Sequence, residues 1–413
     1  MSAKLTTPRG TSDLLPEQAA LRRRIEDTAR ELLEHAGYAR IETPTFEATE
    51  LFARGVGEAT DIVEKEMYSF DDGSGRSLTL RPEGTAPVCR AYVEHGMHKL
   101  PSPVKLYYFE SFFRAERPQA GRYRQFWQVG AEVLGSDEPA VDAELIVLLH
   151  SLLAQLGVSG LRLRLSSLGS PATRAGYRDE LAEYLRANEA LLSETVRRRI
   201  ELNPLRAFDS DDPSTREVMA AAPRLLDRLA PEDAAHFAEV RALLDAAQVS
   251  YEIDATLVRG LDYYTRTLFE FTSDALGAQS GVAGGGRYDG LVELLGGPPT
   301  PGMGWAAGVE RIIMAAGAQP EPLPPPDLYI AHTGAAADAL RTAIEAWNSG
   351  LSAEIELAGR SPNSQLKHAE RLGARFVVLL EPGSAKLRDR AGGHEHVLSR
   401  EQIVKQVRQE LAP

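Results

Sequence analysis

The 413-residue sequence has almost no cysteine, no long apolar run and no excess of positive charge. The single cysteine, Cys89, excludes an internal disulfide framework and a cysteine-rich metal site, and it is typical of a protein of the reducing cytoplasm. No run of 18 apolar residues occurs, and the first ten residues lack the apolar core of a secretory signal, so we expect no membrane span. The net charge of −13 argues against general binding to nucleic acid or membranes, but it still allows local basic patches.

Several motifs of nucleotide and metal chemistry are also missing. The sequence contains no GxxxxGK[ST] phosphate-binding loop and no serine or cysteine nucleophile elbow. The glycines of residues 302–308 miss the spacing of the dinucleotide-binding fingerprint. His394 and His396 are two residues apart, whereas two zinc ligands on one helix are four residues apart, so we predict no resident metal.

A proline-rich segment divides the chain. Five of the nine residues from 319 to 327 are proline, which excludes a helix or a central strand and predicts a stiff linker at 319–326. Residues 327–413 then alternate short apolar runs with helical patterns, and they carry eleven basic and eleven acidic residues. We therefore predict a small neutral α/β domain with a mostly parallel sheet at 327–413, and a larger acidic domain at 1–318.

The larger domain is predicted to be α+β. The segments KLYYFESFFRAE, RQFWQVGAEVLG and DYYTRTLFEFTS are aromatic and β-branched with polar interruptions, which predicts long antiparallel strands with one chemically active face. A helix is expected to begin at Pro16 and to end before Gly37. Residues from about 171 to 248 are rich in Ala, Leu, Arg and Glu without a strand pattern, so we predict a helical insertion there.

An arginine-rich segment lies between two of these predicted strands. Residues 114–124 contain four arginines and one glutamate, with Pro118 and Gly121 in the middle, which predicts a basic loop between antiparallel strands. A guanidinium group binds two phosphate oxygens at once, so this cluster in an acidic protein indicates a phosphate ligand, and Phe126 offers a ring on which a base could stack. The alternative is a surface hairpin whose arginines pair with carboxylates of the protein.

Three further segments carry residues of the same kind. Arg259 directly precedes a glycine and an aromatic strand. Residues 284–290 predict a glycine-rich turn that lets the backbone approach a ligand closely, and the alternative is a tight turn with nothing bound. Residues 304–311 predict a strand of small residues that runs into a helix bearing Glu310 and Arg311.

Seven segments resemble, in the order of the family, motifs of bacterial histidyl-tRNA synthetases, which are class II aminoacyl-tRNA synthetases: GTSDLLP, TDIVEKEMYSF, LRPEGTAPVCRAYVEHG, FRAERPQAGRYRQFWQVGAEVLG, LVRGLDYYTRTLFEF, GGGRYDGLVELLGG and GWAAGVERI. The resemblance runs from about residue 8 to residue 315 outside the insertion. It is weaker for the terminal domain, which resembles the family's anticodon-binding domain. It implies an antiparallel class II sheet flanked by helices, a homodimer, and ligation of L-histidine to tRNA(His) through a histidyl-adenylate, with Mg²⁺ accompanying ATP.

The resemblance also implies roles for individual residues at the nucleotide. Arg114 and Arg259 would be the catalytic residues that hold the α-phosphate, with Arg259 placed where other class II enzymes bind a metal. Two arginines would hold the γ-phosphate, a ring would stack on adenine, and a carboxylate would lie near the adenine or order the arginines. The residues implied in ATP binding are Arg114, Glu116, Arg122, Phe126 and Arg311.

For histidine, the resemblance implies a pocket with groups for an ammonium and two ring nitrogens. Glu83 would take the α-amino group, while Glu132 and Tyr264 suit the imidazole, since one acceptor and one hydroxyl match either neutral tautomer. The residues implied in histidine binding are Glu83, Thr85, Gln128, Glu132, Tyr264 and Tyr288. The residues implied in contacts with the tRNA acceptor end are Arg117, Gln119 and Arg124.

For the anticodon, the candidates in the terminal domain are Arg360, Asn363, Gln365 and Lys367. The alternative for that stretch is a solvated helix start capped by Ser361.

The sequence departs from the family pattern at three positions. Trp127 stands where the family usually has histidine, and Ala131 and Ala283 replace frequent cysteines. Strand alternation places Trp127 on the face opposite to Phe126 and Gln128, so we predict that it packs in the core.

Two competing interpretations remain open from the sequence. One is the non-catalytic, synthetase-like regulatory subunit of ATP phosphoribosyltransferase, which typically lacks the terminal domain and has degraded histidine motifs. The other is an accessory sensor built on the same scaffold, for which the chain has no extra domain.

Overall fold

The computed structural model describes residues 4–57, 60–320 and 322–412, without the side chains of residues 278 and 279. The chain divides into two compact units, Met1–Glu321 and Pro322–Pro413, and each has a core of its own. Among the described residues, no helix combines the length and the apolar character that a membrane crossing requires.

The first unit is built on an eight-stranded sheet with the order β1-β5-β6-β11-β10-β9-β7-β8. Its six central strands are antiparallel, and only the two-residue edge strands β1 and β8 pair in parallel, which confirms the predicted antiparallel strands. A second, three-stranded sheet has the order β2-β4-β3. The strands of this unit are β1 (Ala39–Arg40), β2 (Phe46–Ala48), β3 (Tyr68–Asp71), β4 (Ser77–Leu80), β5 (Val104–Phe113), β6 (Gln125–Leu134), β7 (Leu161–Ser167), β8 (Glu252–Ile253), β9 (Thr265–Ser273), β10 (Gly281–Arg287) and β11 (Gly302–Gly308).

Helices pack on this sheet through apolar faces. As predicted, the first helix begins at Pro16 and ends before Gly37, whose φ of +84° suits glycine. It buries Ile25, Ala29 and Leu33. The helices of this unit are α1 (Pro16–His35), α2 (Thr49–Val56), α3 (Thr85–Glu94), α4 (Pro139–Gln155), α5 (Pro171–Ala187), α6 (Glu194–Arg199), α7 (Pro213–Ala220), α8 (Pro231–Ala246), α9 (Leu291–Leu294) and α10 (Val309–Ala315). A π-helical turn spans Ile62–Glu66, and 3₁₀ turns span Met97–Lys99, Glu189–Leu191, Pro204–Asp209, Leu225–Arg228 and Asp274–Gln279.

The glycine-rich segment predicted as a turn is instead the buried strand β10 in the middle of the large sheet. A Cβ atom at Gly285 would overlap the backbone of Gly304 on the neighbouring strand, and one at Gly286 would lie 2.6 Å from the carbonyl oxygen of Thr267. The glycines therefore let strands approach closely rather than reverse the chain. The turn itself follows at residues 289–290.

Residues 171–248, all of which are described, hold α5 to α8 with short 3₁₀ turns and no strand. The helices α5 to α7 share a cluster that includes Leu181 and Leu185. The last helix differs, because Phe237, Val240 and Leu244 of α8 belong to the core of the large sheet. The segment with a core of its own is therefore shorter than the predicted insertion.

The second unit is an α/β sandwich on a five-stranded sheet with the order β13-β12-β14-β15-β16. The first three strands in this order are parallel, but β14, β15 and β16 pair antiparallel, so the prediction of a mostly parallel sheet was wrong. The two missed strands are polar and half exposed, which hides them from a search for apolar runs. The elements are β12 (Leu328–His332), α11 (Ala336–Asn348), β13 (Ala353–Ile355), α12 (Pro362–Leu372), β14 (Phe376–Glu381), β15 (Ser384–Asp389), β16 (Glu395–Leu398) and α13 (Arg400–Leu411).

Candidate active site

Strand β6 presents the predicted site residues on one face and packs its other face in the core. Residues 126, 128, 130 and 132 alternate with residues 127, 129, 131 and 133, of which the last three are buried in the main apolar cluster and the first is partly buried against it. Trp127 packs against that cluster, and the guanidinium carbon of Arg22 lies 4.1 Å from its ring centroid. The prediction that Trp127 is a packing residue is therefore confirmed.

Glu132 is the centre of a buried hydrogen-bond group. Thr85 donates its hydroxyl to one carboxylate oxygen over 2.8 Å, and Tyr288 donates its hydroxyl to the other over 2.6 Å. The side chain is fully buried, and this burial raises the pKa of Glu132 to about 8. The structure thus brings together three of the six residues predicted for the amino-acid pocket.

Glu83 lies at the start of α3, where free backbone N–H groups point outward. Its carboxylate accepts the N–H groups of Thr85 and Ala86, each over 2.9 Å. Tyr263 donates its hydroxyl to the same carboxylate over 3.4 Å, and the sequence had not suggested this tyrosine. Burial raises the pKa of Glu83, although the two N–H groups favour its charged form.

The loop that carries Glu83 is fixed by a buried ion pair. Arg81 Nη1 lies 2.6 Å from Glu110 Oε2, and Arg81 also donates to the carbonyl oxygens of Ser111 and Thr43. A buried guanidinium with all of these partners holds the chain rigidly. The position of Glu83 is thus set by strand β5 as well as by α3.

Glycines make the room for these polar side chains. A Cβ atom at Gly304 would overlap Glu132 Oε2, and one at Gly84 would lie 2.7 Å from the hydroxyl oxygen of Tyr108. Gly130, on β6, faces the same tyrosine ring. Tyr108 is buried beside Glu132 and Glu83, a position that sequence reasoning missed.

Tyr264 and Gln128 complete the set of residues predicted for this pocket. Tyr264 is buried, packs edge-on against Tyr263 with ring centroids 4.8 Å apart, and lies over Gly286. Burial raises its pKa to about 12, so its hydroxyl keeps its proton. The Oε1 atom of Gln128 is buried and accepts no hydrogen bond from any described residue, so it remains available to a ligand donor.

The predicted nucleotide residues Arg114, Glu116 and Phe126 lie around the base of the basic loop. Arg114 donates to the carbonyl oxygen of Pro82 over 2.9 Å, and its guanidinium carbon is 5.3 Å from the ring centroid of Phe126. Glu116 lies 3.4 Å from Arg122, so a carboxylate orders one of the arginines, which is one of the two roles predicted for it. Arg114 also lies close enough to Glu83 for its charge to oppose, in part, the rise in the pKa of that carboxyl caused by burial.

Arg259, in the segment before β9, and Arg311, on α10, approach the same region. Arg259 Nη1 is 2.6 Å from Glu270 Oε1, and its guanidinium lies against the backbone of Gly284. Arg311 donates to the carbonyl oxygen of Gly281. Burial and the nearby Arg122 lower the pKa of Arg311, as expected where cations gather. Glu270, which the sequence analysis missed, also pairs with Arg164.

The residues predicted to contact tRNA fall into two groups. Arg117 and Gln119 are exposed on the basic loop, whose tip closes through two backbone hydrogen bonds between Gln119 and Arg122. Arg124 instead donates to the carbonyl oxygens of Glu116 and Arg9, each over 3.3 Å. It therefore fixes the base of the loop to the N-terminal segment.

In the second unit, the anticodon candidates are also divided. Gln365 is buried and exchanges hydrogen bonds with the backbone of His332, so its assignment as an anticodon contact was wrong. Its amide fills a structural role because the strand end of β12 needs partners there. Arg360 pairs with Glu356 at 3.0 Å, and together with Lys367 it lines an open groove beside α12.

The raised pKa of Glu132 predicts a pH-dependent stability. The folded protein keeps this proton up to about pH 8, whereas an ordinary glutamate releases it near 4.5, so the free energy of unfolding falls as the pH rises between these values. We expect the melting temperature of the wild type to fall relative to that of Glu132→Gln across this window. Asp142, whose pKa burial raises to about 7, titrates in both proteins and cancels in the difference. The prediction would be contradicted if the melting temperatures of the two proteins changed with pH in parallel.

Comparisons with known proteins agree with this geometry. The family model described as "Histidyl-tRNA synthetase" matches residues 10–312, and the model described as "Anticodon binding domain" matches residues 329–410. A protein of Desulforamulus reducens named "Histidine--tRNA ligase" is 47% identical over 409 residues, which cover 97% of this chain and 98% of that protein. A protein of the same name from Halorhodospira halophila is 50% identical over 380 residues, which cover 90% of this chain and 89% of that protein.

Solved structures agree as well. The crystal structure of apo S. aureus histidyl-tRNA synthetase matches with a TM-score of 0.81 and 34% sequence identity, and it covers 98% of this chain and 100% of that chain. This match confirms the predicted class II architecture. The chain belongs to the histidyl-tRNA synthetase family.

Proposed function

We propose that the protein ligates L-histidine to tRNA(His) in two steps at this site. The histidine carboxylate attacks the α-phosphorus of ATP, which forms histidyl-adenylate and releases pyrophosphate. The tRNA 3′ end then takes the histidyl group from the adenylate. The observation that supports this best is that Arg114, Arg122, Arg259 and Arg311 gather beside a buried pocket built on two carboxylates.

The first step needs cations rather than a general base. The attacking carboxylate is already a nucleophile, while negative charge grows on the non-bridging oxygens of the α-phosphate in the transition state. We assign Arg114 and Arg259 to these oxygens. Both are held in place by the protein, Arg114 by the Pro82 carbonyl and Arg259 by Glu270, so little reorganisation is required when charge develops.

The rest of ATP is assigned to the outer part of the site. Arg122 and Arg311 are placed at the γ-phosphate, and Phe126 is placed against adenine because its ring is half exposed on the site face of β6. Glu116 keeps Arg122 oriented. Mg²⁺ enters as part of the substrate MgATP and neutralises phosphate charge there.

Histidine is assigned to the inner pocket. Glu83 and Gln128 take the α-amino end, since both present buried acceptor oxygens. Glu132 and Tyr264 face the imidazole ring, while Thr85 and Tyr288 hold Glu132 through their hydroxyls. A pocket that hydrogen-bonds a polar substrate rejects analogues without that group by roughly 10⁴ to 10⁵.

The tRNA is assigned to two surfaces. Arg117 and Gln119 are exposed on the basic loop and would contact the acceptor end, with Arg124 holding the loop. The second unit would read the anticodon, where unstacked bases are accessible. With Gln365 committed to internal contacts, we assign this role to the side with Arg360, Asn363 and Lys367.

We also propose that the protein acts as a homodimer in the cytoplasm. The small sheet exposes Phe46 and Phe70, whose rings pack together with centroids 6.1 Å apart. Their strands, β2 and β3, lie on either side of β4, so the rings form an exposed apolar patch on one face of the sheet, as is typical of a protein contact. The cytoplasm is where tRNA is charged for translation.

Histidine-dependent exchange of labelled pyrophosphate into ATP tests this function. We expect exchange with the purified protein, and transfer of labelled histidine to tRNA(His) in a second assay. Histidinol serves as the control, because it has the imidazole and the amino group but no carboxylate to react. Absence of exchange at saturating substrates would favour the regulatory-subunit alternative, which near-full-length relatives named as ligases already disfavour.

A further inference from the structure

The helical insertion is tied to the sheet where β9 begins. Beyond the last pairing of β7 with β9, the N–H of Leu168 donates to the carbonyl oxygen of Arg266 over 2.7 Å. The N–H of Arg266 donates to the carbonyl oxygen of Gly169 over 2.8 Å. Leu168 and Gly169, which lead towards α5, therefore continue the sheet. Their partner, Arg266, is only two positions from Tyr264 in the sequence.

Arg266 adopts an unusual backbone conformation at this point. Its φ is +42°, and Gln248 is the only other non-glycine residue of the described chain with a positive φ. The pairing of β10 with β9 also shifts here, from Gly286 opposite Leu268 to Arg287 opposite Thr265. A side-chain-bearing residue is disfavoured in this conformation, so surrounding contacts must hold the bulge.

Those contacts converge on Asp233 of α8, whose side chain is 2% exposed. One of its oxygens accepts Nε–H of Arg266 over 3.2 Å. The other accepts the N–H of Ser170 over 2.8 Å and the hydroxyl of Thr173 over 2.6 Å. A single buried carboxylate thus joins the bulge, the start of the insertion and a helix of the catalytic core.

The insertion also contacts Tyr264 directly. Arg174 of α5 donates Nη1–H to the carbonyl oxygen of Tyr264 over 2.6 Å. The Tyr264 side chain packs in the apolar cluster formed mainly by insertion helices, which includes Leu181 and Leu185. The wall of the histidine pocket that Tyr264 forms therefore rests on the insertion rather than on the sheet alone.

We infer that Arg174, Asp233 and Arg266, here called the insertion joint, position Tyr264 and thereby couple the placement of the insertion to histidine binding. The inference rests on the proposed role of Tyr264 in the histidine pocket. Because such coupling is reciprocal, histidine should stabilise the joint as much as the joint stabilises bound histidine.

Two variants test the joint. Arg266→Gly keeps the positive φ, which glycine adopts freely, but loses the contact with Asp233. Arg174→Met removes the donor to Tyr264 and keeps an unbranched side chain. For each variant we expect the KM for histidine in pyrophosphate exchange to rise about fivefold or more, with the KM for ATP unchanged. Arg266→Lys, which keeps a cationic donor, should recover part of the loss.

Hydrogen exchange provides a second readout that a purely structural role would not change. Histidine should slow the exchange of backbone amides at residues 168–174 in the wild type, and it should do so less in Arg266→Gly. Arg186→Gln is the matched control, since it breaks an exposed ion pair with Glu201 inside the insertion, away from Tyr264. It should leave both KM values unchanged.

The outcomes separate this inference from the proposed function. The inference would be overturned by unchanged KM values for histidine in both variants, or by a lack of any effect of histidine on amide hydrogen exchange at residues 168–174. In either case, activity of the wild type would still uphold the proposed function. If Arg266→Gly does not fold, as its melting temperature would show, Arg174→Met decides alone. If the wild type shows no histidine-dependent exchange of pyrophosphate into ATP, the proposed function is contradicted instead.

Discussion

Replacing Arg259 by alanine should lower the rate of histidyl-adenylate formation by about 10² or more, because the variant lacks a preorganised charge donor that we assign to the α-phosphate. The fold should persist, since Glu270 still pairs with Arg164 after Arg259 is removed. Single-turnover measurements of adenylate formation at saturating histidine and ATP would report the chemical step itself. Binding of ATP should weaken much less, because Arg122 and Arg311, which we assign to the γ-phosphate, remain.

Arg162→Ala is the matched control for this experiment. Arg162, on β7 of the large sheet, also pairs with a carboxylate, at 2.9 Å from Asp274, but both side chains of this pair are exposed. An exposed pair of this kind contributes little to stability. We expect normal adenylate formation in that variant. Near-normal rates in Arg259→Ala as well would remove Arg259 from the mechanism.

The sequence predicted those parts of the fold that follow from local pattern. The hairpin of β5 and β6 was predictable because aromatic strands flank a loop with Pro118 and Gly121, and the latter has a φ of +73°. The step from β11 into α10 was predictable from small residues followed by a helical pattern. The strand β10 was not, because three consecutive glycines locally favour a turn, and only the neighbouring strands explain why they are extended.

The partners of the site residues could not be predicted in the same way. Glu270 meets Arg259 and Arg164 only through the register of β9 with its neighbours, and Glu83 meets Tyr263 across 180 residues of sequence. One signal was available, because Glu270 stands between two phenylalanines in a buried strand. A carboxylate in such a setting requires a cationic partner.

Motif membership also did not reveal which polar residues were already engaged. Gln365 and Arg124 stand in segments that match the family, yet backbone carbonyl groups of the same unit occupy their donors. Side-chain chemistry alone cannot distinguish a group that waits for a ligand from a group that closes a loop. The distinction depends on which buried polar atoms lack a hydrogen-bond partner among the described residues, as Gln128 Oε1 does, and only the three-dimensional structure shows this.

Gly304→Ala should raise the KM for histidine by about 10² or more, because small displacements of positioning groups have effects of this size. The new Cβ atom would overlap Glu132 Oε2 and lie 2.8 Å from the carbonyl oxygen of Ala131, so Glu132 must leave its contacts with Thr85 and Tyr288. Pyrophosphate exchange at varied histidine measures the effect, and the KM for ATP should stay within about twofold.

Gly290→Ala is the control for that substitution, since its Cβ atom would meet nothing within 4 Å although it lies two residues from Tyr288. The double variant Gly304→Ala with Glu132→Ala separates loss of the pocket from loss of the fold. Removing the carboxylate relieves the overlap, so the melting temperature should return towards that of the wild type. The KM for histidine should stay high, because the carboxylate is absent. If both the melting temperature and the KM for histidine recover in the double variant, Glu132 only fills space. If the KM for histidine is normal in Gly304→Ala alone, Glu132 does not face the substrate.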